Sequence, residues 1–247
     1  MGRRGPRRMI VLVGPGAVPG ATLELDDAEA HHLRVRRADG ELRVELRDGA
    51  GLIGTGVLRM DGKRGTVVVE RAERRPHAVP LLLAVGAGDR DRFAWLVEKA
   101  AELGVTDIHP VETERTAGVA TRVRAGAGAL EKLRRRGLEA LKQCGGTWAP
   151  AVHDPEPLAA FLARELSGTR WLADAAGAPP SALAATEPLT AIIGPEGGLT
   201  DAERAAIVAA GYRPVRLGAL TLRFETAALA AAVHATAVRS GAGSFDG

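Results

Sequence analysis

The sequence predicts an α/β protein in two parts: a β-rich unit over residues 1–75 and a larger unit over residues 76–247 built on a mainly parallel sheet. Three observations carry this. Asp48-Gly49 and Asp61-Gly62 separate three strand-like runs in the first part, and both dipeptides are strong hairpin signals. Pro80–Val85 is an unbroken apolar run, the pattern of a parallel strand covered on both faces. From there to the C-terminus, strand-like and helical stretches alternate, which implies crossover connections and a parallel sheet.

Along the chain, Arg8–Val13 reads as a short strand. Asp26 and Asp27 cap a helix through Ala28–Arg37. Glu41–Arg47, Gly51–Met60 and Gly65–Arg71 are the three strands of the hairpin region, and Arg74, Arg75 and Pro76 form a linker. In the second part, Arg92–Leu103 is a helix with Phe93, Leu96, Val97, Ala100 and Leu103 on one face, and Gly104 is a suitable residue just past its end. Strands are predicted at Val105–Val111, Ala149–His153, Arg170–Ala173, Thr190–Ile193 and Pro214–Leu217, and helices at Ala127–Cys144, Pro157–Leu166, Asp201–Ala210 and Glu225–Arg239.

Composition excludes several classes. With 46% hydrophobic and 26% charged residues in 247, the chain is not disordered throughout. No apolar run approaches the roughly 18 residues of a membrane span, and the apolar stretch Met9–Val13 is too short for a signal-peptide core; a cytoplasmic protein is expected. One cysteine, Cys144, excludes an intramolecular disulfide. The six histidines show no metal-ligand spacing, so no metal is expected. Aromatics are only 3%, which argues against base-stacking platforms.

The net charge of +3 hides an uneven distribution. Residues 1–75 hold 15 Lys and Arg against 11 Asp and Glu, and residues 115–142 hold 8 against 2. The second run comprises Arg115, Arg122, Arg124, Lys132, Arg134, Arg135, Arg136 and Lys142. A solvated helix face accounts for either basic region alone; two separate regions favour a nucleic-acid partner, and guanidinium groups suit phosphate.

Two glycine loops stand out. Gly194-Pro195-Glu196-Gly197-Gly198-Leu199-Thr200 joins a strand end to a helix start, with Glu203 three residues after Thr200, the spacing of a capping box. Ligands bind at such strand ends in open α/β sheets, although a plain structural turn fits the residues equally well. No Gly-Lys-Ser/Thr follows, so the loop is not a phosphate-binding P-loop. The second loop, Leu217-Gly218 to Ala227, places Arg223 and Glu225 at a helix start. Glu225 suits the helix dipole there, whereas Arg223 opposes it and calls for an anionic partner.

Gly194-Pro195-Glu196-Gly197-Gly198-Leu199, Leu217-Gly218, Leu222-Arg223 and Glu225-Thr226-Ala227 resemble the ligand loops of the ribosomal small subunit rRNA uridine-N3 methyltransferase family (the RsmE family), in the SPOUT class of knotted methyltransferases. His31-His32-Leu33-Arg34-Val35-Arg36, Asp48-Gly49-Ala50-Gly51, Glu98–Val105, Thr113–Thr116, Glu139-Ala140 and Gln143-Cys144 extend the likeness over about residues 8–240. The resemblance implies an RNA-binding PUA-like β-barrel over 1–75 and a SPOUT domain with a C-terminal trefoil knot over 76–247. It also implies a homodimer with S-adenosyl-L-methionine as cofactor, without membrane or metal. The reaction implied is methylation of N3 of one uridine of 16S rRNA (uridine 1498 in the rRNA numbering), on the assembled small ribosomal subunit.

Carried over residue by residue, the resemblance assigns Gly194, Pro195, Glu196, Gly197 and Gly198 to one wall of the cofactor site. Leu217, Gly218, Leu222 and Thr226 form the other wall, and Leu172 and Ala173 close it. His31, His32, Arg34, Arg36, Arg115, Arg136 and Gln143 would meet RNA. Arg223, with Arg115 as second candidate, would stabilise charge on the uracil oxygens, and Glu196 or Glu225 would accept a proton or orient the base. Two departures bear on RNA contacts: Gly145-Gly146 stand where the family often has arginine, and Asp89-Arg90 where it tends to have Lys-Gly. A SPOUT enzyme with another RNA target, or a non-catalytic RNA-binding assembly factor, remains an alternative reading of the same residues.

Overall fold

The computed structural model describes residues 9–35, 40–86, 88–116, 128–180 and 183–242. Arg36, Arg122 and Arg124 lie outside the described residues. The chain divides into two units, residues 1–77 with Leu138–Ala149, and Ala78–Gly137 with Pro150–Gly247.

In the first unit, strands β1 (Ile10–Leu12), β2 (Thr22–Glu24), β3 (Glu41–Arg47), β4 (Leu52–Asp61) and β5 (Arg64–Arg74) and helix α1 (Asp27–Val35) follow in sequence. The sheet order is β1-β3-β4-β5-β2. β1 runs parallel to β3; the other pairs are antiparallel. The tight turn after Asp61 pairs Asp61 with Arg64, and Gly62 there adopts φ +56°, which only glycine takes without cost. Period-two alternation places Val44, Leu46, Leu58, Val67 and Val69 in one core with Val11 and Leu33 of α1. Strand β2 carries a half-buried and exposed face and was not legible as a strand; its pairing with β5 defines it.

Leu138–Ala149 completes this unit. Trp148 donates through Nε1 to the Pro76 carbonyl at 3.0 Å and packs its ring against that of His77 at a tilt of 44°. The carboxylate of Glu29, fully buried in α1, accepts from Leu12 N–H and forms an ion pair with Lys142. Cys144 is exposed.

The second unit holds seven strands: β6 (Leu81–Val85), β7 (Asp107–Glu112), β8 (Ala151–Val152), β9 (Glu156–Pro157), β10 (Thr169–Ala178), β11 (Leu189–Ile193) and β12 (Arg213–Val215). Their order is β12-β10-β11-β6-β7-β8, with β9 also on β7, and every pair is parallel. β6 and β11 are buried at all five positions each. Their odd residues Leu81, Leu83, Val85, Leu189, Ala191 and Ile193 face a core with helices α2 (Arg90–Glu102) and α6 (Phe224–Ala242). Leu82, Ala84 and Ile192 face the other core, with α4 (Leu158–Leu162) and α5 (Asp201–Ala209). Strand β10 runs five residues further than its apolar centre suggests, because a register shift after Ala173 lets Ala178 pair again with Val215 of β12.

Helix α3 (Ala129–Cys144) carries the basic run, and that run is not a bare cationic face. Arg134 donates to the Val152 carbonyl, Arg136 pairs with Glu98 at 2.8 Å, and Lys142 is the partner of Glu29. Among the described residues no helix is long and apolar enough to cross a membrane.

Removing the Lys142 ammonium leaves the buried Glu29 carboxylate without its cation, with the Leu12 N–H bond still in place. Lys142→Ala is expected to destabilise the first unit by about 3–5 kcal/mol, read as a lower urea midpoint of the full chain.

Candidate active site

Two strand ends and the irregular middle of a third strand meet at one cleft of about 410 Å³ in the second unit. β11 runs out at Gly194, β12 runs into Arg216–Arg223, and β10 contributes Ala173–Ala175, where its register on β12 shifts. This is where an open parallel sheet places its ligands.

The Gly194–Thr200 loop is tightly built. Gly198 N–H donates to the Pro195 carbonyl at 2.8 Å, and Gly198 takes φ +72°. Thr200 caps α5: its hydroxyl accepts from Glu203 N–H at 3.3 Å, and Glu203 accepts from Thr200 N–H at 2.9 Å, completing the capping box read from the sequence. The loop also rests on β6, where a side chain at Gly86 would stand 2.8 Å from Pro195 Cδ. Opposite, Gly218 faces Leu222, and an added Cβ would meet its methyls at 3.2 Å.

Arg115 reaches this loop from a turn after β7. Thr113 N–H donates to Thr116 Oγ1 at 2.8 Å, and Glu114 N–H donates to Glu203 Oε1 at 2.7 Å. The Arg115 guanidinium then donates to the Gly197 carbonyl. One carboxylate, that of Glu203, therefore ties the helix cap to the turn that carries Arg115. On the other side Glu196 pairs with Arg92 of α2 at 3.6 Å.

The cleft brings together Ala173, Gly194, Pro195, Glu196, Gly198, Leu217, Gly218, Leu222 and Arg223. Leu172 does not line it; alternation along β10 turns this side chain fully into the second core. Gly197 gives its carbonyl to Arg115 and is not a lining residue, and Thr226 stands exposed on α6. Arg223 is exposed at the cleft. Glu225 is 93% buried in the first turn of α6, and among the described residues its Oε2 has no hydrogen-bond partner.

The residues assigned to RNA fall in both units. His31, His32, Arg34 and Gln143 belong to the first, with Arg34 Nη2 3.1 Å from His31 Nδ1; Arg115 and Arg136 belong to the second.

Sequence reasoning missed Arg204, Arg216 and Leu220 in the cleft, whereas Leu199 belongs to the glycine loop it singled out. Asp174, whose backbone neighbour Ala176 donates to it at 2.9 Å, is ion-paired with Arg204. A signal existed for Arg204: it stands in the opening turns of a helix, where arginine opposes the dipole, the same argument that singled out Arg223.

The chain matches the RNA methyltransferase domain family model over residues 75–236. It is 29% identical over 231 residues to the ribosomal RNA small subunit methyltransferase E of Synechocystis sp., covering 88% of this chain and 73% of that protein. It is 30% identical over 178 residues to the protein of the same name from Treponema pallidum, covering 66% and 65%. The crystal structure of the methyltransferase E of Neisseria gonorrhoeae bound to S-adenosyl methionine superposes with TM-score 0.80 at 25% identity, covering 92% of this chain and 96% of that one.

Glu203→Ala removes the reciprocal half of the capping box and the Glu114 tether together, and leaves the Thr200 cap in place. It is expected to cost about 1 kcal/mol and to speed amide exchange at Glu114 selectively, measured by hydrogen–deuterium exchange with fragment resolution.

Proposed function

The chain belongs to the RNA methyltransferase domain family, and on that premise we propose that it methylates N3 of a specific uridine of small-subunit rRNA, using S-adenosylmethionine. The observation that carries the reading is the cleft itself. Both glycine loops that resemble the uridine-N3 family converge on it, and the chain is similar over most of its length to methyltransferase E proteins.

The lining fits the cofactor. Ile193, Leu199, Leu217, Leu222 and Phe224 give apolar walls for a purine, the backbone of Gly194, Gly198 and Gly218 stands open to a close ligand, and Asp174 and Glu196 supply acceptors. Arg204 and Arg216 are cations for a carboxylate. When bound, the cofactor supplies an electrophilic methyl group on a sulfonium sulfur. The chain's residues do the rest. The glycine walls fix the approach of the acceptor nitrogen, and such positioning supplies much of the rate. Loss of the N3 proton spreads negative charge onto the uracil oxygens, and the exposed Arg223 guanidinium is placed at the cleft to stabilise it. Arg115, held on the Gly197 carbonyl, is the second cation. Glu225, with an unpartnered oxygen, and Glu196 are the carboxylates for the proton.

The finer features belong to the same reading. The first unit acts as a PUA-like RNA-binding barrel, with His31, His32, Arg34, Arg36 and Gln143 as its RNA-contacting residues, and Arg115 and Arg136 of the second unit add to them. The loops after β11 and β12 form a trefoil knot; in support, β12 lies beside β10 while β11 pairs on the other side of β10. The protein works as a cytoplasmic homodimer on uridine 1498 of the assembled subunit; exposed Leu220 and Val233 offer apolar surface for a second copy.

The test is transfer of labelled methyl to small subunits lacking the modification, followed by nucleoside mass spectrometry. 3-Methyluridine is expected, and a different methylated nucleoside would overturn the assignment. Arg223→Ala is expected to lower transfer by about 10²–10³-fold while cofactor binding, measured by calorimetry, persists.

A further inference from the structure

A second cluster of ionisable side chains stands at the other edge of the parallel sheet, and none of its members lines the cleft. Asp107 and His109 are two apart on β7 and share a face. The parallel register of β8, with Ile108 beside Val152, brings His153 alongside, and its N–H donates to the Ile108 carbonyl at 3.0 Å. The imidazoles of His109 and His153 stack with centroids 3.9 Å apart and planes 11° from parallel. His153 Nε2 lies 2.9 Å from Asp107 Oδ1. Ligand atoms of Asp107, His109 and His153 all lie within 4.8 Å of one another.

We propose that Asp107, His109 and His153 form a binding site for a transition-metal ion of the zinc type. The supporting shell is already in place. Glu156 of β9 holds His109 Nδ1 at 2.9 Å, which leaves the lone pair on Nε2 and orients the ring, the arrangement that carboxylates impose on metal-ligating histidines. Arg164 in turn holds Glu156 Oε2 at 3.0 Å and neutralises it. Asp107, whose partner within the cluster is His153, is then the carboxylate of the group that no arginine answers among the ion pairs described. Phe161 walls one side, its ring centroid 5.2 Å from that of His109. Two imidazoles and one carboxylate suit zinc, with water as the fourth ligand. Tetrahedral zinc requires ligand atoms roughly 3.3 Å apart. His153, whose side chain is 38% exposed, has the room to turn and close that gap. Binding through His153 Nε2 shifts the single ring proton of the neutral imidazole to Nδ1, and Asp107 Oδ1 turns from that N–H to the metal, with no net proton released.

Such an ion would fasten β7 to the segment after β8. Its effect is therefore on stability, by mass action on the folded chain, and does not depend on the proposed methyl transfer. The site is not legible in the sequence, because 43 residues lie between His109 and His153 and the ligands follow no short metal spacing.

The experiment titrates the full chain with Zn²⁺, and with Mg²⁺ as control, by calorimetry and thermal unfolding. One equivalent of Zn²⁺ is expected to bind and to raise the unfolding temperature, with no saturable Mg²⁺ binding. His153→Ala and Asp107→Asn, at half-exposed positions where folding is preserved, are expected to weaken Zn²⁺ binding at least about tenfold, while His77→Ala binds as the parent does. Absence of saturable Zn²⁺ binding, binding unchanged in His153→Ala and Asp107→Asn, or binding lost equally in His77→Ala would each overturn the proposal.

Discussion

Two strands without a solvent face govern the second unit. β6 and β11 are apolar at all ten positions but Thr190, so helices must cover both sides of the sheet. That requirement fixes parallel crossovers, and parallel crossovers fix which ends of the strands are free. The loops after β11 and β12 then have one place to go, and the cleft is the space they enclose with Ala173–Ala175 of β10. The chemistry depends on this frame more than on any single side chain, because each wall is backbone held at close range by packing beneath it. Gly86 under Pro195 and Gly218 under Leu222 show how little clearance the frame leaves.

What could be read from residues alone follows from the range of the forces involved. Asp61-Gly62, the five-residue run of β6 and the Thr200–Glu203 box act through neighbours in sequence, so they were legible and their elements formed where expected. Short elements set by pairing were not: β2 and β9 have no distinctive pattern and exist through β5 and β7. Most of the cleft was visible as two glycine loops. Leu172 shows where that reading ends, since alternation along a strand decides which of two adjacent residues faces a ligand, and Ala173 is the one that does. The ties from Glu203 to Glu114 and from Arg115 to Gly197 span 89 and 82 residues and leave no mark in local sequence.

Charge tells a similar story. Read as a string, residues 115–142 are a cationic tract; folded, several of its members answer carboxylates and carbonyls of the protein itself. Cations that remain useful for an anionic partner are those with a reason to stand at a helix start or a strand end, such as Arg216 and Arg223. Position relative to the backbone dipoles separates these from structural arginines better than density along the chain does.

The return of Leu138–Ala149 to the first unit has a consequence for how the protein is made. A ribosome delivers the chain from its N-terminus, and domains generally fold as they emerge. Here the Glu29 carboxylate waits for Lys142, and Gly51, which lies against the Trp148 ring, waits for that indole. The N-terminal unit therefore cannot mature as soon as its strands are out; it is completed only after the first strands of the second unit have been synthesised. Truncation after residue 77 would yield a fragment with an open core and a buried carboxylate deprived of its ammonium partner, so a unit that is discontinuous in sequence is also one whose completion is deferred during synthesis.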